Sequence, residues 1–244
     1  MADFQTVFRR YERKFLMDPA QFEALQDFLR RRMEPDQYGK SKVCNLYYDT
    51  PDFYLIRTSI EKPFYKEKLR LRCYGVPNDD STTFVEIKKK YDRVVYKRRI
   101  HLPYSDAVAY LRGQAALPEP SQIGREIEFF VQRYRTLQPA LVVTYDREAL
   151  YGKDDPALRV TFDTDIRWRT DALDLTCGAH GTPLLPPDRR LIEIKIPGAM
   201  PLWLAHELDR LGIRRTSFSK CGRAFSMYQQ SPQGAHLFTG GITP

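Results

Sequence analysis

The sequence predicts an α+β fold: a large sheet with one apolar and one charged face, its apolar face covered by amphipathic helices. Three observations predict it. From Lys66 to His101 the chain reads KEKLRLRCYG, a short break, then FVEIKKKYDRVVYKRRIH, and each of three runs alternates with a period of two. Lys66, Lys68, Arg70 and Arg72 oppose Leu69, Leu71 and Cys73; Glu86, Lys88 and Lys90 oppose Val85 and Ile87; Lys97 and Arg99 alternate with Tyr96, Arg98 and Ile100. The same two-residue period returns near residues 158–168 and 191–196, while apolar stripes at helical spacing mark residues 18–34, 122–135 and 201–211. Rows of like charge on neighbouring strands repel one another unless a polyanion lies across them.

The elements follow in order. Residues 4–16 read as a strand with Arg10, Glu12 and Lys14 on one side. Asp18-Pro19 then starts a helix, with Asp as the cap and Pro in the first turn. Phe22, Leu25, Phe28, Leu29 and Met33 form its apolar stripe, and Pro35 is expected to end it. Residues 43–48 are a short aromatic strand followed by the turn Asp49-Thr50-Pro51-Asp52, and 54–60 is a helical turn or a loop. After the three charged strands, Ser105 is expected to cap a short helix. Residues 117–120 make a surface connection, and 122–135 is a helix striped by Ile123, Ile127, Phe130, Val131 and Tyr134. Residues 140–147 form a strand with Val143, Tyr145 and Arg147 on one side. In 158–168, Leu158, Val160, Phe162, Thr164, Ile166 and Trp168 are expected on one face, with Arg159, Thr161, Asp163, Asp165 and Arg167 on the other. Ile192, Ile194 and Ile196 alternate with Glu193 and Lys195, a helix covers 201–211, and a helical piece follows Phe218-Ser219-Lys220. No repeat or linker divides the chain, so residues 1–228 read as one domain and 229–244 as a mobile tail.

Composition narrows the partners. The 244 residues carry 39 Lys+Arg against 31 Asp+Glu, a formal charge of +8, which favours a polyanionic ligand. Cys44, Cys73, Cys177 and Cys221 form no CxxC pair and read as reduced thiols of a cytoplasmic protein without a zinc site. The N-terminus has no apolar stretch of the secretory kind, and no apolar run approaches the roughly 20 residues of a spanning helix. The four histidines have no ligand spacing.

At least seven strands with a polar face, if curled into a barrel, bring their charged sides together around a lumen. Cations there would hold phosphate oxygens, and the fewer carboxylates would hold a divalent metal that bridges phosphates. Inward-facing cations argue against a nucleic-acid duplex, which needs an outward basic stripe. Lys66, Lys68, Lys89, Lys90 and Arg98 read as solvated. Asp163 and Asp165 either pair with Arg159 and Arg167 or serve the lumen.

The ordered set YERKF, YYDTPDFY, KLRLRCYG, VEIKKKYDRVVYKRR, TYDREAL, LRVTFDTDI, LIEIKIPG and FSKC, spanning about Arg9 to Tyr228, resembles the VTC domain. That is the catalytic domain of vacuolar transporter chaperone-type polyphosphate polymerases, within the triphosphate tunnel metalloenzyme (CYTH-like) superfamily. The resemblance implies an antiparallel eight-stranded closed tunnel, dependence on Mn2+ or Mg2+, and transfer of the ATP γ-phosphate onto a growing polyphosphate chain with release of ADP. It implies catalytic roles for Arg70, Arg72, Lys88, Arg99, Lys195 and Lys220, and phosphate or nucleotide binding by Lys14, Lys97, Arg147 and Arg159. Glu193 matches the principal metal-binding carboxylate, with Glu86 and Glu12 as helpers. Hydrolases of the wider superfamily commonly begin Glu-x-Glu-x-Lys; here those positions are Arg10, Glu12 and Lys14, which weakens a hydrolase reading. A tunnel triphosphatase and a non-catalytic polyanion-binding module remain the alternatives. The partners implied are ATP and inorganic polyphosphate, with membrane delivery left to another protein.

Overall fold

A computed structural model describes residues 7–61, 63–92, 94–117 and 121–238, without the side chains of 7–10 and 236–238. Residues 4–6 of the expected first strand and 118–120 of the expected surface connection lie outside the described residues.

Among the described residues ten antiparallel strands form a single sheet: β1 (Val7–Met17), β2 (Met33–Asp49), β3 (Tyr65–Tyr74), β4 (Thr82–Tyr91), β5 (Val94–Pro103), β6 (Gln138–Gly152), β7 (Arg159–Arg169), β8 (Thr182–Pro183), β9 (Arg190–Ile196) and β10 (Arg215–Thr216). The order is β10-β1-β5-β4-β3-β2-β6-β7-β8, and β9 pairs with both β7 and β1. The expected count of eight strands is corrected to ten, because β8 and β10 each add two residues at an edge. Uniform closure is corrected as well. β1 meets β5 only over Val7–Arg10, and further along, at Lys14 and Phe15, it pairs with β10 instead. On its other register β1 pairs with β9 over Tyr11–Met17.

The helices are α1 (Pro19–Arg30), α2 (Tyr54–Ile60), α3 (Tyr104–Leu111), α4 (Gln122–Arg133), α5 (Leu202–Arg210), α6 (Lys220–Gln229) and α7 (Pro232–Phe238). Asp18 caps α1 through a reciprocal pair with Gln21 that satisfies two otherwise orphaned backbone donors. Pro35 does not end this helix; it lies inside β2, which starts at Met33 and is far longer than the aromatic run alone suggested. Ser105 does not cap α3 either, since Pro103 is the residue at that position. Of residues 229–244, expected as a mobile tail, Pro232–Phe238 form α7, and residues 239–244 lie outside the described residues. Among the described residues no helix is long and apolar enough to cross a membrane.

Burial explains how the helices are placed. The outward side of β2, β3, β4 and β6 buries Cys44, Leu46, Leu71, Val85 and Val142 against α3 and α4 through Ala107, Tyr110, Ile127 and Phe130. The outward side of β1, β7 and β9 buries Phe15, Val160, Phe162, Ile192 and Ile194 against Leu25 and Leu29 of α1 and Leu204 and Leu208 of α5. At about 0.8 kcal/mol per buried CH2, these two layers are the main apolar term holding the sheet curved.

A third apolar cluster lies on the inner face. Val43 and Tyr47 of β2 alternate with Cys44 and Leu46, so they point the opposite way. With Val143, Tyr145, Ile166, Trp168 and Leu191 they pack onto Cys221, Ala224, Phe225 and Tyr228 of α6 and Ile56 of α2. The lumen is therefore filled by apolar packing in this part, and charged elsewhere. The expected single face for residues 158–168 is corrected here. Val160 and Phe162 belong to the outer layer, whereas Ile166 and Trp168 belong to the inner one. A bulge causes the switch: the β6–β7 register shifts between Thr144 and Asp146, and Asp165 takes a left-handed φ of 46°.

Candidate functional site

The charged part of the lumen is a cavity of about 1520 Å³, lined by far more lysine and arginine than carboxylate. Lys14, Arg70, Arg72, Lys88, Lys97, Arg99, Arg147, Arg159, Lys195 and Lys220 all line it, as do Glu12 and Glu193. The sheet register brings them together. Arg70, Glu86 and Arg99 sit directly opposite one another across β3, β4 and β5, and Lys68, Lys88 and Lys97 form the adjacent row.

Two carboxylates anchor the cations on one side of the cavity and the other. Glu86 is fully buried and takes contacts from Arg70 (Nη2–Oε2, 2.7 Å), Lys97 (Nζ–Oε1, 2.5 Å), Arg72 (3.9 Å) and Arg99 (3.9 Å). Burial alone would raise its carboxyl, but Arg70, Lys97 and Arg72 outweigh that and hold it well below the usual carboxylate range. Burial in turn pulls the Lys97 ammonium well below its ordinary value, despite Glu86. Arg72 is positioned further by donating to Asn45 Oδ1 (2.8 Å) and to the Tyr145 hydroxyl (2.9 Å).

On the facing side Glu193 is ringed by Lys220 (2.9 Å) and Lys14 (3.4 Å) at Oε1, and by Arg147 and Lys195 (both 3.5 Å) at Oε2. Burial opposes ionisation here too, and Lys220, Lys14, Lys195 and Arg147 overcome it, holding the carboxyl well below its usual range. Asp163 lies behind this group, gripping Arg147 through two hydrogen bonds (2.7 and 2.8 Å) and Lys220 at 2.5 Å. Lys14 also donates to the Phe218 carbonyl at 2.8 Å, tying β1 to the segment before α6. Glu12 pairs with Lys88 at 2.9 Å. Burial pulls Lys88 below its ordinary value even so.

The site residues separate into groups the sequence did not distinguish. Arg159 sits at the rim, half-exposed, with Asp36 at 3.2 Å. Glu86, expected to help bind metal, does not line the cavity and lies behind its arginines. Lys66, Lys68 and Lys90, expected in solvent, line the cavity. Asp165 does pair with Arg167, at 2.8 Å, but Asp163 pairs with Arg147 rather than Arg159. Asn45, Tyr145 and Asp163 were not singled out for the roles they hold. Only the placement of Tyr145 beside Arg147 on one strand face hinted at its contact with the cations.

Among the described residues no group of three or more His, Cys, Asp or Glu side chains converges as a metal cage. Glu12 and Glu193 nevertheless both face the cavity; burial and, to a lesser degree, Glu193 oppose ionisation of Glu12, but Lys88, Lys14 and Lys195 outweigh them and hold its carboxyl below the usual range, so both groups stand as carboxylates. Two carboxylates fit a hard cation whose remaining ligands are phosphate oxygens and water. Glu86 does not fit, because it is fully buried and has no surface on the cavity.

Comparison with known proteins agrees with this geometry. The chain is 28% identical over 156 residues to vacuolar transporter chaperone complex subunit 4 of Trypanosoma brucei brucei, a match that covers 52% of this chain and 20% of that protein. This chain thus spans only a fraction of that relative's length. A crystal structure described as a putative adenylate cyclase from Bacillus halodurans shares the fold, with a TM-score of 0.55, 14% identity, and 88% and 96% of the two chains covered. The VTC domain family matches residues 9–228, nearly the whole chain, and the protein belongs to that family.

Proposed function

We propose that this chain is a metal-dependent polyphosphate polymerase that moves the γ-phosphate of ATP onto the end of an inorganic polyphosphate chain and releases ADP. The observation that carries the reading is the cavity itself, in which convergent cations are held by the buried anchors Glu86 and Asp163 before any ligand arrives. Phosphoryl transfer asks for positioning and charge neutralisation more than for covalent help, and cations fixed in advance meet that need without reorganising. Membership of the VTC family supports the same reaction class, and the trypanosomal relative's name places it in a transporter chaperone complex.

In this mechanism Arg70, Arg72 and Arg99 on one wall and Arg147, Lys195 and Lys220 on the other hold the triphosphate and the acceptor chain end to end. Lys14, Lys88 and Lys97 supply further phosphate contacts, and Arg159 guides the polyanion at the rim. The chain's terminal phosphate, already ionised near neutral pH, attacks the γ-phosphorus, so no dedicated base is required. Glu193 and Glu12 would hold the cation, Mn2+ or Mg2+, which would offset the negative charge of the phosphates. Glu86 serves as a counter-charge that fixes the arginines.

The test incubates purified protein with ATP and Mn2+, resolves long anionic chains on a gel, and assays ADP and inorganic phosphate in parallel. Chains growing in step with ADP are expected. Phosphate release without chains would make the protein a triphosphatase, and polyphosphate affinity without turnover would make it a binding module.

A further inference from the structure

Lys68, Lys88 and Lys97 lie directly opposite one another on three adjacent strands, an arrangement that repels itself unless each ammonium finds an anion. Lys88 finds Glu12, and Lys97 finds Glu86. Lys68 finds sulfur. Its Nζ is 2.7 Å from Cys221 Sγ and 3.3 Å from Ser219 Oγ.

Three features make this pair unlike the rest of the chain's thiols. Cys221 sits in the first turn of α6, just inside the Ser219 cap, where backbone N–H groups favour negative charge. Although almost fully buried, its side chain borders the lumen cavity beside Lys220, the side from which a small solute would approach it. Burial would push the thiol up, yet the charge and hydrogen bond of Lys68, with the Ser219 hydroxyl, bring it below its ordinary value. Cys44 and Cys73, opposite each other on β2 and β3, belong to the outer apolar layer; Cys73 also borders the cavity, but burial raises both thiols, Cys44 to about 11. Cys177 is exposed.

We propose that Lys68 and Cys221 form an oxidation-sensitive site: a hydroperoxide entering the lumen oxidises the Cys221 sulfur, and the Lys68 amine then closes a covalent S–N bond between β3 and α6. In the first step the thiolate sulfur attacks one oxygen of hydrogen peroxide. The O–O bond breaks, sulfur is oxidised by two electrons to the sulfenic acid, and the other oxygen leaves as water. In the second the lysine nitrogen, having released its protons, attacks that sulfur, and the sulfenic oxygen departs as a second water. Thiolate, ammonium and hydrogen peroxide thus give one sulfenamide and two waters. The bond removes a lumen charge and ties the helix carrying Lys220 to the cationic wall. A thiol reductant reverses it.

The experiment treats the purified full chain with hydrogen peroxide and reads intact mass and tryptic peptides. The expected product has lost the mass of two hydrogens and joins the Lys68 peptide to the Cys221 peptide; dithiothreitol restores both. Cys221→Ser abolishes the link. Lys68→Met yields a Cys221 sulfenic acid that dimedone traps, with no link. A Cys221 that stays reduced while Cys177 oxidises, or one that gains only oxygen with Lys68 intact in the wild type, overturns the proposal. Because the wild-type mass reading does not depend on either variant, a variant that misfolds leaves the test decisive. A second arm rests on the polymerase reading: chain synthesis falls in proportion to the linked fraction and returns with dithiothreitol. Protein that forms the link but makes no chains even when reduced defeats the polymerase reading and leaves this site standing.

Discussion

Glu86 and Glu193 are both buried carboxylates, both held ionised by four cations, and on composition alone they look interchangeable. Their positions divide their work. Glu86 has no surface on the cavity and its arginines stand between it and any ligand, whereas Glu193 faces the lumen with Glu12 nearby. A carboxylate behind the cations fixes where positive charge sits; a carboxylate among them is placed to share a metal with phosphate. The difference teaches that in a cationic lumen, depth decides whether an acid is scaffold or ligand.

The sharpest way to break this contrast is to neutralise each acid in turn. Glu86→Gln leaves Arg70 and Lys97 buried without their counter-charge, and is expected to destabilise the fold by roughly 3–5 kcal/mol, read from the midpoint of urea unfolding. Wild-type behaviour in acid follows from the same charges. The Glu86 and Glu193 carboxyls are depressed in the folded state, so their stabilisation is complete above the unfolded carboxylate range, near pH 4–5, and drains away as pH falls through their lower folded values. Glu86→Gln should flatten that acid slope; an unchanged slope would show that the anchor reading is mistaken.

Removing a cation from either wall comes next. Arg72→Ala and Lys195→Ala are each expected to lower ATP-dependent chain synthesis by about 100-fold or more, on the scale of roughly 2.7–4 kcal/mol for a preorganised charge partner. A near-normal rate in both would remove the lumen from the chemistry. Glu193→Gln should act differently from Glu86→Gln: the fold survives with a smaller loss, and the metal concentration needed for half-maximal rate rises. An equal shift in Glu86→Gln would erase the proposed division between the two acids.

The smallest effect is a pH dependence of binding. Burial depresses Lys88 and Lys97 in the unliganded protein, so raising the pH deprotonates them and weakens affinity for tripolyphosphate, while binding at a pH above their values takes up protons. Calorimetry in two buffers of different ionisation enthalpy measures that uptake. Affinity that stays flat from neutral into alkaline pH would place both lysines outside the contact.

Much of this architecture was legible from alternation. The rows Arg70/Arg72, Glu86/Lys88 and Lys97/Arg99 were read correctly as sharing a face, because a two-residue period needs no knowledge of neighbours. Depth was not legible, since Glu86 and Glu193 show the same pattern and only the packed cations distinguish them. The sequence leaves Lys68 in solvent because a strand's period says which face a residue takes and nothing about whether another helix reaches over it. For Asp163 the sequence leaves open a pairing with near neighbours or a place in the lumen, whereas its partner Arg147 comes from the adjoining strand, in a register that the bulge beside Asp165 sets. Pro35, a helix stop by rule, sits in β2 near a register irregularity between Pro35 and Lys40, where the ladder makes no demand on its missing N–H.

The left-handed kink at Asp165 has a consequence for how this protein tolerates change. One extra residue lets β7 present Val160 and Phe162 to the outer helices and then Ile166 and Trp168 to α6. Excising the aspartate would let the strand alternate plainly with Ile166 and Trp168 still toward α6, whereas a residue that refuses the left-handed φ and flattens the bulge would rotate everything downstream by half a pleat, turning a tryptophan away from α6 and an arginine in toward Phe225. Conformation at this position is therefore guarded more strictly than length.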